Sequence, residues 1–325
     1  MKAIVVKTPG SLPVVEEIPV PEPGPGEVLI KIEAAPVNPS DLGSIKRNLA
    51  GDFKPFTPGL EGAGTVVKAG KGLLPRLWLG KRVACSPIKG HGGTWAEYMV
   101  TGAGHCFPLG KSVSSEQGSM TLVNPLTALG FIEIARKGGH KAIVNNAAAS
   151  SLGRMTELLC KKYGIKLINI VRSAKKAEEL RWSGSAYVLD SSDPSFTEKL
   201  KNLSAELNAR LLFDSVCGDG FNELIASMPD GSTVVIYGNL SPSDLVSVNP
   251  RTILSKNITI KGFYLGNQSQ RNGMMKNMIN LLKVRKLMAG DMKIKIQERY
   301  PLANVNEAIE KYTGSMSSGK VLLIP

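Results

Sequence analysis

The feature that most constrains this chain is an alternation, from about Gly118 onward, of short apolar runs with helical stretches. The runs fall at residues 141–145, 166–171, 186–189, 211–216 and 233–237, and helical spacing lies between them, notably over 151–162 and 174–181. Strand, helix, strand at this spacing predicts parallel strands joined by right-handed crossovers, hence a doubly wound sheet of the kind that binds nucleotides at the carboxyl ends of its strands.

The turn after the first of these strands reads Asn146-Ala147-Ala148-Ala149-Ser150-Ser151-Leu152-Gly153. Small residues there let backbone N–H groups approach a pyrophosphate at the positive end of a helix. The expected donors are Ser150, Ser151 and Leu152, with Gly153 allowing the helix to pack closely on the strand. The turn lacks the GxGxxG spacing, and small residues also join strands to helices for structural reasons alone, so the next strand carries more weight. It ends Ile170-Val171-Arg172-Ser173-Ala174-Lys175-Lys176, with no acid before Glu178. A fold that prefers NAD places an acid there for the ribose 2′-hydroxyl. Arg172, Ser173 and Lys176 instead suit a dianionic 2′-phosphate, through charge-assisted hydrogen bonds. The expected cofactor is NADPH.

The first 120 residues differ in texture. Short β-branched runs such as Val28-Leu29-Ile30-Lys31-Ile32 and Arg82-Val83-Ala84-Cys85 are separated by breakers such as Pro21-Glu22-Pro23-Gly24-Pro25-Gly26, which predicts a mostly antiparallel β-domain. After a strand at 258–265 comes a Met-rich helix over 274–288. Its apolar positions Met275, Met278, Leu282 and Leu287 read as core packing rather than a binding surface. A helix near 305–312 and a strand at 321–324 close the chain. The expected division is a catalytic domain over 1–122, completed by 266–325, around a nucleotide domain over 123–265.

Bulk properties fit two domains: 325 residues, 42% hydrophobic and 21% charged. Cys85, Cys106, Cys160 and Cys217 are far apart with no CxxC, which argues against a disulfide framework and for a reducing compartment. The chain opens directly into a strand, so the expected address is cytoplasmic, with the mitochondrial matrix kept open for a chain whose presequence has been removed. No membrane span is expected. A formal charge of +13 attracts anions of many kinds, yet the Lys and Arg residues are spread along the chain with no uninterrupted basic run, so a solvated basic surface is the preferred reading.

A set of short segments, taken in order, resembles the zinc-independent members of the medium-chain dehydrogenase/reductase superfamily across nearly the whole chain. They are Val37-Asn38-Pro39-Ser40-Asp41, Pro58-Gly59-Leu60-Glu61-Gly62-Ala63-Gly64, Gly93-Thr94-Trp95-Ala96-Glu97-Tyr98, Asn124-Pro125-Leu126-Thr127-Ala128, Phe213-Asp214-Ser215-Val216, Tyr237-Gly238 and Gly319-Lys320-Val321. The resemblance implies an α/β fold in which a GroES-like, β-rich catalytic domain is split around a Rossmann doubly wound parallel-sheet domain. It also implies a homodimer paired through the edge strand at 258–265. Cofactor contacts implied in the same way are Asn124, Thr127, Ala149, Ser150, Ser151, Leu152, Arg172, Ser173, Tyr237, Gly238, Asn239, Leu240, Phe263, Tyr264, Leu265 and Lys320.

Zinc alcohol dehydrogenases of this superfamily take metal ligands from a Cys in the first segment and a His in the second, where this sequence has Asn38 and Leu60. His91, His105 and His140 stand at no recognised zinc spacing, so no metal is expected. Ser150, Arg172, Asn124-Pro125 and Gly262-Phe263-Tyr264-Leu265 resemble mitochondrial-type enoyl-thioester reductases more than typical quinone reductases. Those enzymes carry a tyrosine proton donor shortly after the first segment. The matching place here is Leu49, so that role is not carried over.

The expected reaction is hydride transfer from NADPH to a quinone or an α,β-unsaturated carbonyl, a small-molecule substrate. Reduction of a trans-2-enoyl thioester of CoA or acyl-carrier protein is the alternative. A low-turnover NADPH-binding protein with a nucleic-acid or other anionic partner is the second. Asn38 is the candidate hydrogen-bond donor to the substrate oxygen, and Asp41 reads as a helix cap. The proton comes from water or from Tyr264, whose ring could equally pack on the nicotinamide. Phe53, Phe56 and Trp95 fit pocket walls and core alike.

Overall fold

The β-branched runs of the N-terminal third form strands β1 (Lys2–Val5), β2 (Val14–Glu17), β3 (Glu27–Pro36), β4 (Gly62–Ala69), β5 (Arg82–Cys85), β6 (Tyr98–Gly102) and β7 (Cys106–Pro108). β3 is ten residues long and the hub of its sheet, pairing antiparallel with both β4 and β6, while β4 pairs antiparallel with β5 and β5 with β7. Between β3 and β4 lies helix α1 (Pro39–Lys46). The core under this sheet gathers Ile4, Ile30, Val66 and a fully buried Trp95, with Phe53 and Phe56 packed against it. The aromatic residues that fitted either a pocket wall or the core are therefore core. The computed structural model describes residues 1–46, 53–243, 245–290 and 292–325; Leu49 lies outside them.

The alternating region forms β8 (Ala142–Asn145), β9 (Lys166–Val171), β10 (Tyr187–Asp190), β11 (Leu211–Asp214), β12 (Thr233–Ile236) and β13 (Thr259–Gly262). Every pairing is parallel, in the order β10-β9-β8-β11-β12-β13. The order reverses between β8 and β11, the doubly wound arrangement the alternation predicts. Helix α2 (Asn124–Lys137) leads into β8, α3 (Ser151–Tyr163) joins β8 to β9, and α4 (Ala174–Trp182) joins β9 to β10. One face of the sheet buries Val144, Ile168, Leu212 and Val234 with Leu200 and Phe221 of the flanking helices.

The last part departs from expectation. The strand expected over 258–265 is cut to β13, because helix α5 (Leu265–Ala289) already begins at Leu265. α5 is broken at Gly273 (φ 71), and the Met-rich stripe does not face a core: Met274, Met275, Met278 and Leu282 are exposed, and of the expected positions Leu287 alone is buried. The buried positions are Asn280, Val284, Leu287 and Met288. They stand about two residues out of phase with Met274, Met278 and Leu282, roughly 200° around the helix, so the pattern was read on the wrong face. β14 (Ile296–Pro301), α6 (Val305–Gly314) and β15 (Lys320–Ile324) close the chain. β15 pairs antiparallel with β3, returning the C-terminus to the N-terminal sheet. Two compact units result: residues 1–126 with 278–325, and residues 127–277. Among the described residues no helix is long and apolar enough to cross a membrane.

Candidate functional site

In the second unit the sequence-expected residues meet at the carboxyl edge of the parallel sheet, where the strand order reverses. Asn146, just past β8, is buried; its Oδ1 accepts from Ser215 N (2.9 Å) and its Nδ2 donates to Asp214 Oδ1. The same Asp214 oxygen accepts from Val216 N at 2.8 Å and Cys217 N at 3.2 Å. The Tyr237 hydroxyl donates to Asn145 Oδ1 at 3.3 Å, and burial pushes that phenol well above its ordinary range. Phe131 backs this edge, stacking on Phe213 at 4.0 Å and touching the rings of Tyr237 at 4.7 Å and Phe263 at 5.5 Å. Two polar atoms here are buried without a partner, Asn145 Nδ2 and Asp214 Oδ2. Unsatisfied atoms of this kind are costly in a native fold and call for a ligand or water.

The turn from β8 to α3 is built as expected in outline and differs in detail. Ala147 adopts positive φ (50°), and Ser150 caps α3, its Oγ accepting from Gly153 N at 3.1 Å. A Cβ on Gly153 would stand 2.2 Å from the Ala148 carbonyl oxygen, so only glycine permits this approach of helix to strand. Ser150 is not a free backbone donor: its N–H is spent on Ala147 O (3.0 Å) inside the turn. The N–H groups of Ser151 and Leu152, in the first turn of α3, have no partner among the described residues. Beside them Ala149 and Gly153 are buried.

Past β9, Arg172 is exposed and makes no ion pair or side-chain hydrogen bond among the described residues. Ser173 caps α4, its Oγ accepting from Lys176 N at 3.4 Å. Lys176 departs from the expected phosphate contact: its ammonium reaches both oxygens of Glu179, at 3.0 and 2.8 Å, because a lysine and a glutamate three residues apart share one helix face. Arg154 of α3 approaches the same carboxylate at 3.9 Å. Lys176 heads the causes that hold Glu179 below the usual carboxylate range. Glu179 and Arg154 were not foreseen; the one signal was an acid placed three residues after a candidate phosphate ligand.

Beyond β12, Leu240 N donates to Ser215 O (2.9 Å), and Asn239 Nδ2 to Ser243 O (3.0 Å). Gly238 sits where a Cβ would press on Ser215 at 3.2 Å. Beyond β13, Phe263 and Leu265 are half-buried, whereas Tyr264 is 67% exposed and its hydroxyl has no partner among the described residues.

Asn38, Asn124 and Lys320 belong to the first unit, and Thr127 begins the second. Asn124 and Thr127 are buried on the first turn of α2. Asn38 and Lys320 are buried too, in a polar cluster with Asp41 and Glu61. Asn38 Nδ2 donates to Glu61 Oε1 at 3.1 Å, and Lys320 Nζ donates to Asn38 Oδ1. Glu61 Oε2 accepts from Leu122 N and Val123 N, both at 2.9 Å. Asp41 caps α1 as expected: Oδ2 takes the Asn38 N–H at 2.9 Å, while Oδ1 takes that of Leu60 at 2.9 Å. Burial raises the Asp41 carboxyl to about 7, with the two N–H bonds and Lys320 opposing. Burial also raises Glu61 and lowers Lys320.

Lys320, expected to touch cofactor, is thus held by Asn38 in the site as it stands. Both ends of the Asn38 amide are engaged, leaving one Nδ2 hydrogen for a substrate. Glu61, in the segment Pro58 to Gly64, has a role that sequence reasoning alone misses. Its signal was an acid flanked by small and apolar residues leading straight into a strand. The four cysteines are free and buried, and burial raises Cys85, Cys106, Cys160 and Cys217, as expected of unreactive thiols.

The fold and this edge define a two-unit dehydrogenase-type protein with a nucleotide-binding sheet. Residues 24–111 match the model of the alcohol dehydrogenase GroES-like domain, and residues 151–283 the model described as zinc-binding dehydrogenase. A crystal structure from Mesorhizobium loti, provisionally named an NADPH:quinone reductase, is 31% identical over 100% of this chain and 98% of its own, with a TM-score of 0.89. The mitochondrial enoyl-[acyl-carrier-protein] reductase of Arabidopsis thaliana is 27% identical over 330 residues, 97% of this chain and 85% of its own. Escherichia coli quinone oxidoreductase, crystallised with NADPH, shares the fold at TM-score 0.87 with 22% identity, covering 100% of both chains. The chain belongs to the medium-chain dehydrogenase/reductase superfamily, in its zinc-independent quinone oxidoreductase branch.

Proposed function

We propose that the chain is a zinc-independent, NADPH-dependent oxidoreductase that reduces a quinone or an α,β-unsaturated carbonyl. The observation that carries the reading is Arg172, an unpaired guanidinium beside Ser173 at the end of the second parallel strand, where no acid stands to meet a ribose 2′-hydroxyl. The donor set fits a phosphorylated dinucleotide: two free N–H groups at the start of α3, a glycine that lets backbone come close, and an exposed cation.

Bound NADPH supplies hydride to an electron-poor carbon. In this reading Arg172 and Ser173 hold the 2′-phosphate, and the N–H groups of Ser151 and Leu152 receive the pyrophosphate. The remaining hydrogen on Asn38 Nδ2 is offered to the acceptor oxygen, where negative charge develops. The exposed Tyr264 hydroxyl or water returns the proton. Residues 123–265 are the cofactor-carrying part, and the rest of the chain is the catalytic part.

Enoyl-thioester reduction remains a second reading, favoured by the length and extent of the match to the Arabidopsis enzyme. We further propose a cytoplasmic homodimer paired through β13, an edge strand whose Thr259, Lys261 and Gly262 are exposed. The test is NADPH oxidation against quinones, alkenals and short and long enoyl thioesters, with fluorescence titration of NADPH and NADH. Turnover with one acceptor class and tighter NADPH binding are expected. No turnover, together with steeply salt-dependent RNA or DNA binding, would replace this reading with that of a nucleic-acid partner.

A further inference from the structure

We infer that Glu61 and Lys320 are positioning residues that set which end of the Asn38 amide can meet a substrate. The inference rests on the reading above, in which Asn38 contacts the acceptor oxygen. The two ends of a carboxamide have almost the same shape, so sterics alone cannot choose between them. Hydrogen-bond direction can.

An ammonium only donates, and Lys320 Nζ faces Asn38 Oδ1. An ionised carboxylate only accepts, and Glu61 Oε1 faces Asn38 Nδ2. The carboxylate is itself oriented from behind, since Oε2 receives the N–H groups of Leu122 and Val123. Every hydrogen bond of the set therefore points toward the Glu61 carboxylate, from Lys320 through Asn38 on one side and from the two backbone N–H groups on the other. Turning the amide over would set NH2 against ammonium and carbonyl against carboxylate, where burial leaves no water to relieve either.

The backbone around Asn38 is fixed as well. Its own N–H goes to Asp41 Oδ2, and the N–H of Val37 goes to Val321 O (3.0 Å), on the strand that carries Lys320. The Tyr312 ring lies 5.8 Å from the ammonium and helps keep it in place. Through Leu122 and Val123 the carboxylate also ties Asn38 to the residues just ahead of Asn124 and α2.

The test reverses the hydrogen bond between positions 38 and 61 without changing the shape of the cluster. Full-length Glu61→Gln, Asn38→Asp and the double variant are compared with the native protein for thermal midpoint, NADPH dissociation constant, and kcat and KM with 1,4-benzoquinone and crotonyl-CoA. Each single change sets like against like and lowers the midpoint. In the double variant the new amide donates to the new carboxylate, which also accepts from Lys320. The midpoint and NADPH binding return to native values, yet kcat with the acceptor stays down by about tenfold or more, because position 38 has no N–H to offer. Recovery of kcat along with the midpoint would overturn the inference, as would a midpoint that does not recover.

If the double variant does not fold, Lys320→Arg and Lys320→Gln ask the same question. The first keeps a pure donor and should cost under about threefold in kcat; the second can present either end and should cost about tenfold, with KM for NADPH unchanged in both. Equal losses would overturn the inference. A native protein that oxidises NADPH with neither acceptor defeats the functional reading instead, while the midpoints still report on the hydrogen-bond chain.

Discussion

The polar groups gathered around the candidate site residues of each unit are held differently. In the first, Asp41, Glu61 and Lys320 lie out of contact with water, and their hydrogen bonds close on one another and on backbone N–H groups. In the second, the carboxyl edge of the parallel sheet leaves Asn145 Nδ2 and Asp214 Oδ2 without partners among the described residues, and Arg172 is exposed. A closed network holds one geometry and is expensive to damage. An open edge keeps its capacity for a ligand and can be altered with little harm to the fold. The first unit should therefore answer mutation in stability, and the second in binding.

The largest effect should follow from Lys320→Met. Removing the cation takes away the charge that opposes the raised Asp41 and Glu61 carboxyls and leaves Asn38 Oδ1 without its donor, and a buried hydrogen bond to a charged group is worth about 1.5–3 kcal/mol. Urea unfolding should show the loss as a lowered midpoint. An unchanged midpoint would mean the first unit is not the closed network described, and the contrast would fail at its stronger end.

Next comes a dependence on pH. Asp41 holds its proton up to about 7 in the folded protein, against an ordinary 3.8. Between those values the folded state binds a proton that the unfolded chain has released. This contribution therefore stabilises the fold fully at the acid end and is lost as pH rises through 7. Thermal midpoints in the native protein should fall as pH rises from 5 to about 7 and level off from there to 8.5. The slope should flatten in Asp41→Asn, whose amide carries no proton to lose. Parallel profiles would remove Asp41 from the account.

In the second unit Arg172→Ala should leave the unfolding midpoint alone, since the side chain is exposed and makes no ion pair or side-chain hydrogen bond among the described residues. Its effect should appear in the NADPH dissociation constant, weakened by about 10–100-fold for the loss of charge-assisted hydrogen bonds worth about 1.5–3 kcal/mol. NADH binding should not move. Equal weakening of both cofactors would show that Arg172 grips something other than the 2′-phosphate.

The same contrast explains what the sequence made legible. Parallel strands announce themselves locally: β8 and β9 fall within the bounds their apolar runs predict, and the small-residue turn before α3 is a contiguous signal. In the cluster around Asn38, Lys320 stands 282 positions away and Glu61 23, so no short window along the chain contains it. The Met stripe of α5 shows a different limit. Periodicity states that a helix has two faces and is silent on which one the fold covers. Lys176 is drawn aside for a local reason, because the acid one helical turn on competes for its charge.

That competition supplies the smallest and most selective prediction. Glu179 holds Lys176 at 2.8 Å and stands 3.9 Å from Arg154, so two cations next to Arg172 are partly neutralised by one exposed carboxylate. Exposed pairs of this sort are worth about 0.2–1 kcal/mol, too little for Glu179→Gln to disturb the fold. Releasing Lys176 and Arg154 should instead raise the positive potential beside Arg172 and tighten NADPH by a few-fold, about the factor the pair energy allows, with NADH unaffected. The gain should shrink as salt is raised, since screening acts on exposed charges. If titration found NADPH binding weaker, Glu179 would be holding Lys176 in place for the phosphate rather than away from it, and this corner of the open edge would resemble the first unit after all.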